Sequence, residues 1–367
     1  MPDDNTKSFK KLALHLDKMP IGYPATESGV EIKILQELFT PIEAEIASVI
    51  DFAPKTASEM YQRIQNLGIS EKELEKKLDE MYFKGLINRG VRTIGEKEAK
   101  LFSLAPLLTG IYEYQVDKLT SEFLEYFEQY MQEAFWTENL KTKIPRLRTI
   151  PIEKSITLEK NVSTYDELRN LIDNSGSLIS VANCVCKQAE DMRGNPCKKT
   201  DMREHCFQFR SAAKSYVEKG QARMITKEEA YEILEKAEEA GLVIQPGNSQ
   251  RPFGICCCCG CCCVVFKNQK KLEKPAQYFA SNFYAQVDDD LCVICGTCVD
   301  RCNIEAITLE NIAVINLDRC IGCGACVPSC PEEAISLKKK DEELIPPKNT
   351  IATYMAIMEK KKELSNN

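Results

Sequence analysis

Two copies of one cysteine pattern near the end of this 367-residue chain constrain its fold more than any other feature. Cys292, Cys295, Cys298 and Cys302 spell C-x2-C-x2-C-x3-C. Cys320, Cys323, Cys326 and Cys330 spell it again and run into Pro331. One C-x2-C would mean little, but eight cysteines in duplicated register point to two [4Fe-4S] clusters. A cubane needs four thiolates at tetrahedrally disposed corners, and the x2-x2 spacing turns three of them inward from one compact loop. A pair of four-thiolate zinc sites has no need of the pattern twice.

The repeat has a period of 28 residues: Gly296-Thr297-Cys298-Val299 matches Gly324-Ala325-Cys326-Val327, and Glu305-Ala306-Ile307 matches Glu333-Ala334-Ile335. Residues 286–338 resemble the bacterial two-cluster ferredoxins. The resemblance implies crossed ligand sets, Cys292, Cys295, Cys298 and Cys330 for one cluster and Cys320, Cys323, Cys326 and Cys302 for the other. The first motif departs from the second in two places. Asn303 stands where the second has Pro331, and Ile294 where it has Gly322. Neither removes a ligand, and both predict unequal potentials.

Nineteen cysteines would suggest disulfides in a small secreted protein. Here the polar, acidic start Met1-Pro2-Asp3-Asp4-Asn5 lacks the form of a secretory leader, and no apolar run has the length of a membrane span. A cytoplasmic, anaerobe-like setting is expected. The net charge of −7 argues against general nucleic-acid affinity. From Asp288 to Lys338 there are nine acidic and three basic residues, a balance that suits either a basic patch on a redox partner or ordinary solvation. With His15 and His205 the only histidines, histidine-rich metal sites are nearly excluded; His205, beside Cys206, reads as a surface histidine or a minor ligand.

Residues 1–27 are expected to be a flexible segment. Residues 28–138 resemble a winged helix followed by aromatic helices. Thr40 to Glu43, Thr56 to Glu59 and Ser70 to Glu73 are helix-start boxes, Gly85 closes the third helix, and 86–91 and 100–104 predict a hairpin. The third helix carries Lys72, Lys76, Lys77 and Lys84 against Glu71, Glu73, Glu75, Asp79 and Glu80. That balance argues for protein contact or dimerisation rather than DNA. Tyr112, Tyr114, Phe123, Tyr126, Phe127, Tyr130, Phe135 and Trp136 predict packing. Residues 139–162, with Arg146, Arg148 and Pro151, read as a basic connector.

Residues 163–285 form a Cys-rich middle domain of α/β type. A strand at 177–182 leads into Asn183-Cys184-Val185-Cys186, Cys197 and Cys206 follow, and helices are predicted at 207–219 and from Thr226 to Gly241. Then come seven cysteines in eight positions, Cys256 to Cys263, broken by Gly260, which reads as a tight bend. Eleven thiols within 80 residues exceed what packing explains. Cys184, Cys186, Cys197, Cys206, Cys256, Cys258, Cys259 and Cys262 are expected to converge on a further Fe–S cluster, with zinc or a metal-free redox dithiol as alternatives. Cys258-Cys259-Gly260 resembles, over three residues, the Cys-Cys-Gly element of heterodisulfide-reductase-like proteins.

Residues 339–367 predict a linker and an amphipathic helix bearing Ile351, Tyr354, Met355, Ile357 and Met358 on one side. The whole is expected to be α+β and multidomain: a helical winged-helix-like N-terminal domain, the middle domain, and a C-terminal ferredoxin-like domain. This order resembles a group of anaerobe iron–sulfur proteins, a resemblance that implies no particular reaction. No G-x-G-x-x-G or G-x4-G-K phosphate loop is present, so a hydride donor would have to bind another subunit. The function expected is electron transfer to or from a partner oxidoreductase. A redox-responsive winged-helix regulator and a reductase using the middle cysteines are the alternatives, and whether the chain is itself an enzyme stays open.

Overall fold

Local capping lays down the first helices. In this computed structural model, which describes residues 5–94, 97–156 and 163–365, Thr40, Ser70 and Thr56 each accept from the backbone N–H three residues on, while Glu43, Glu73 and Glu59 reach back. The chain divides into two compact units, Met1–Thr142 with Ile357–Asn367, and Lys143–Ala356. No described helix is long and apolar enough to cross a membrane.

The first unit begins with α1 (Asn5–Leu16), where a flexible segment is expected. Phe9, Leu12 and Leu16 recur at helical spacing and are buried, which fixes the helix. α2 (Val30–Leu38), α3 (Pro41–Ala47), α4 (Ala57–Tyr61) and α5 (Glu71–Lys84) follow, and then the antiparallel hairpin β1 (Ile87–Ile94) and β2 (Lys97–Leu104). Gly85 ends α5 at φ 83°, a left-handed turn that glycine adopts without strain. Around α6 (Ser121–Tyr130) and α7 (Trp136–Leu140), Tyr112, Phe123, Phe127, Tyr130, Phe135 and Trp136 are core, with Tyr112 stacked on Phe127 at 4.2 Å, while Tyr114 and Tyr126 are half-buried.

The second unit is built on one five-stranded antiparallel sheet. Its elements are α8 (Leu168–Asp173), β3 (Ile179–Asn183), α9 (Val185–Met192), β4 (Glu204–Phe209), α10 (Ser211–Glu218), β5 (Ala222–Ile225), α11 (Lys227–Glu239), β6 (Val243–Pro246), β7 (Gly254–Cys258) and α12 (Val264–Gln269). The strand order is β5-β3-β4-β7-β6. The helix predicted from 207 starts only at Ser211. His205, Phe207 and Phe209 alternate with Cys206 and Gln208, and that period of two makes a strand. One sheet face, with Val181, Phe207, Ile255 and Cys257, packs on Ile233, Leu234 and Ala237 of α11. The other carries buried Ser180 and Gln208, hydrogen-bonded to each other.

The stretch with the repeated cysteine motif adds β8 (Phe283–Val287), α13 (Thr297–Arg301), β9 (Ile307–Leu309), β10 (Ala313–Ile315) and β11 (Ile335–Lys339). β8 pairs with β11 and β9 with β10. The expected boundary at 285/286 therefore cuts through a strand, and it separates no two units. The expected connector is also built in. Arg148 N–H donates to Pro246, Thr149 to Ala280 and Ile150 to Ile244. The Arg148 guanidinium pairs with Asp166 where both are buried. Residues 157–162 of that connector lie outside the described residues. In the last helix, α14 (Thr350–Ser365), Tyr354 and Ile357 are buried whereas Ile351 and Met355 are exposed, so the expected apolar stripe is narrower.

Candidate metal centres

The cysteines of the second unit fall into three arrangements. The first is the pair of loops that carry the repeated motif. Cys292, Cys295, Cys298 and Cys330 line one small cavity, with Ile294, Gly296 and Ala334. Cys302, Cys320, Cys323 and Cys326 line a second, with Ile304, Gly322 and Ala325. Each cavity draws three cysteines from one motif and one from the other.

The backbone repeats with the sequence. Left-handed φ values recur at Ile294 and Gly322 (58° and 63°), Gly296 and Gly324 (82° and 76°), and Glu305 and Glu333 (55° and 51°). The sulfur hydrogen bonds repeat as well. Ala306 N–H donates to Cys302 Sγ at 3.2 Å and Ala334 N–H to Cys330 Sγ at 3.3 Å. Ala313 N–H donates to Cys292 Sγ and Ala285 N–H to Cys320 Sγ, both at 3.4 Å. Amide donors aimed at sulfur suit thiolates, and such bonds tune cluster potential. Burial pushes the Cys302 and Cys326 thiols up and Cys323 to about 12. Thiols in such surroundings ionise when a cation is their partner. These residues fit iron–sulfur ligation.

The two halves differ in exposure. Cys295 is exposed, and Leu291, Val293, Ile294 and Leu309 beside it are 43–60% exposed. The second loop is covered. A Cβ on Gly322 would stand 2.0 Å from the Phe283 carbonyl oxygen, one on Gly324 would stand 2.2 Å from Ser155 Oγ, and Ile152 N–H donates to Cys323 O. Asn303, in the place of the second motif's Pro331, is buried. Its Oδ1 accepts from Gly260 N–H at 2.9 Å and its Nδ2 donates to Gly241 O at 2.7 Å. Gly260 sits in the turn that was expected, closed by Cys263 N–H donating to Cys259 O, and it also allows close approach, since a Cβ there would stand 2.3 Å from the Asn303 carbonyl oxygen.

The eight middle cysteines expected to share one centre divide between the other two arrangements. Strand alternation is the cause: β7 points Cys256 and Cys258 to one face and Cys257 to the other. On the first face Cys206 of β4 stands opposite Cys256. The thiol contacts run from Cys184 to Cys186, on to Cys263 and Cys258, then to Cys256 and Cys206. Cys258, Cys263 and Cys256 share an apolar cluster with the ferredoxin ligands. Beyond β7 the chain turns, and Cys259, Cys261 and Cys262 gather around Cys197 from the loop before β4. Spacing alone had not marked Cys261 or Cys263. The cue was their place in a turn after a strand, where alternation ends.

Two further groups lie near. His205, expected at the surface, is buried in β4, and neither ring nitrogen has a hydrogen-bond partner. Burial, then repulsion from Lys187, pushes its imidazole down to about 3, so it is neutral. The buried Lys187 ammonium donates to Met202 O.

No curated protein and no solved structure matches this chain. Residues 313–336 match one family, the 4Fe-4S binding domain, and this C-terminal region, carrying the second cysteine motif, is a 4Fe-4S binding domain.

Proposed function

We propose that the chain is an iron–sulfur electron-transfer protein that relays electrons to or from a partner oxidoreductase. Cys292, Cys295, Cys298 and Cys330 hold one ferredoxin-type [4Fe-4S] cluster, and Cys320, Cys323, Cys326 and Cys302 the other. The observation that carries this reading is the pair of cavities, each lined by three cysteines of one motif and the last of the other. When bound, each cluster supplies one-electron redox chemistry.

The chain's residues give that relay two ends. Exposed Leu291, Val293, Ile294 and Leu309 beside Cys295, among Asp288, Asp289, Asp290 and Glu310, form an apolar patch with an acidic rim. That suits docking of a partner with a basic rim. Cys302 leads inward through Asn303 to Gly260 and the middle cysteines. A further iron–sulfur cluster in the middle domain draws on the row Cys184, Cys186, Cys263, Cys258, Cys256 and Cys206. The absence of disulfides suits a reducing, cytoplasmic compartment. A DNA-reading role gains nothing from α5, whose Asp79 ties up Arg89 and Lys100.

Anaerobic iron and sulfide quantification with electron paramagnetic resonance of the reduced protein tests the reading. More than about eight irons and eight sulfides per chain are expected, with interacting one-electron signals. Protein that is colourless and free of sulfide after anaerobic purification sinks it.

A further inference from the structure

Sulfur spacing distinguishes a single ion from a cluster. Four thiolates bound at about 2.3 Å to one tetrahedral ion stand about 3.8 Å from one another. The cysteine sulfurs of a cubane lie beyond its irons and stand roughly 6 Å apart. Cys197 Sγ lies 3.8 Å from both Cys259 Sγ and Cys261 Sγ, and Cys261 Sγ lies 3.5 Å from Cys259 Sγ and 3.6 Å from Cys262 Sγ. All four lie within 4.8 Å of one another, and the ferredoxin ligands form no such group among the described residues.

We infer that Cys197, Cys259, Cys261 and Cys262 bind one tetrahedral divalent ion, zinc or ferrous iron, with no inorganic sulfide. The donor set is that of a closed structural site, four thiolates and no open position. Three of the four are buried and Cys261 is half-buried. Backbone N–H groups reach two of the sulfurs, Lys199 to Cys197 and Lys198 to Cys261. These are the amide contacts that thiolate ligands use. Four ionised thiols at these distances repel strongly, and an ion among them removes the conflict.

The ion acts as a staple. It ties the loop bearing Cys197 to the turn 259–262, and that turn presents Gly260 N–H to Asn303, next to the cluster ligand Cys302. The site sets the position of a ferredoxin loop and adds no electron capacity of its own when zinc fills it.

The test uses the full chain purified without oxygen. X-ray absorption at the zinc and iron edges, with elemental analysis, is expected to show about one metal ion per chain with four sulfur neighbours near 2.3 Å beyond the sulfide-matched iron. Zinc or ferrous iron at that level identifies which ion is bound. Cys197→Ser is expected to lose that one ion and keep its sulfide, while Cys257→Ser, a buried neighbour on the sheet face, keeps both. Loss of iron and sulfide together in Cys197→Ser overturns the inference, because the four thiols would then hold a cluster. No sulfide-free metal in the wild-type chain also overturns it and leaves a dithiol. Should Cys197→Ser fail to fold, the wild-type absorption data decide. Absence of all sulfide would instead count against the electron-transfer reading, so the two failures are distinct.

Discussion

The ferredoxin loops and the turn at 259–262 use the same side chain to opposite ends. In the loops, cysteines stand back from one another around two small cavities, and amides point at their sulfurs. In the turn, sulfurs touch at 3.5–3.8 Å. Cysteine number does not separate the two, since each set has four. Spacing does, because the distance between thiolates is set by how many metal atoms lie between them.

The largest effect that sharpens this contrast is loss of a cluster. Cys320→Ser and Cys302→Ser are each expected to remove or convert the same cluster, up to about four irons and four sulfides. Cys292→Ser and Cys330→Ser should act on the other. Resonance spectra that pair Cys302 with Cys292 would break the crossed assignment and the parallel between cavities and ligand sets.

The strap that joins the two regions comes next. Arg148→Ala leaves Asp166 buried without its cation, its carboxylate still accepting from Asn282 Nδ2. A loss of about 3–5 kcal/mol in denaturant unfolding is expected. Burial already raises the Asp166 carboxyl, with Arg148 opposing it, so its ionised form depends on the guanidinium.

A smaller effect reports on the junction itself. Gly260→Ala must displace the Asn303 carbonyl and is expected to cost about 1–3 kcal/mol. In redox titration it should shift the Cys302-side cluster more than the Cys295-side cluster. Equal shifts would separate the junction from cluster tuning. The smallest effect belongs to Ile294, a β-branched residue at φ 58°. Ile294→Gly relieves left-handed strain and is expected to raise thermal stability by up to about 1 kcal/mol; a fall would mean that its exposed side chain packs after all.

Much of this was legible before the fold. The capping boxes at Thr40, Thr56 and Ser70 state their own hydrogen bonds, and a 28-residue repeat carries its turns with it. What stayed hidden depends on faces and on distant segments. Cys256 and Cys257 are adjacent in sequence, yet the pleat sends them to different cores. Cys197 meets Cys261 across more than sixty residues, and no local pattern encodes that meeting. The turn at Gly260 was legible, but its close approach to Asn303 was not, because that partner lies in another motif. The start of the ferredoxin region was misplaced because Ala285 contributes a backbone amide, which has no residue code.

That amide has a practical consequence for anyone who wants the redox module in isolation. A gene trimmed at codon 286 encodes every cysteine of both motifs, yet it drops the donor to Cys320 and the first half of the strand that zips onto β11. The excised piece would carry one well-dressed cluster and one stripped of its cover, so its voltammogram would describe the cut rather than the parent.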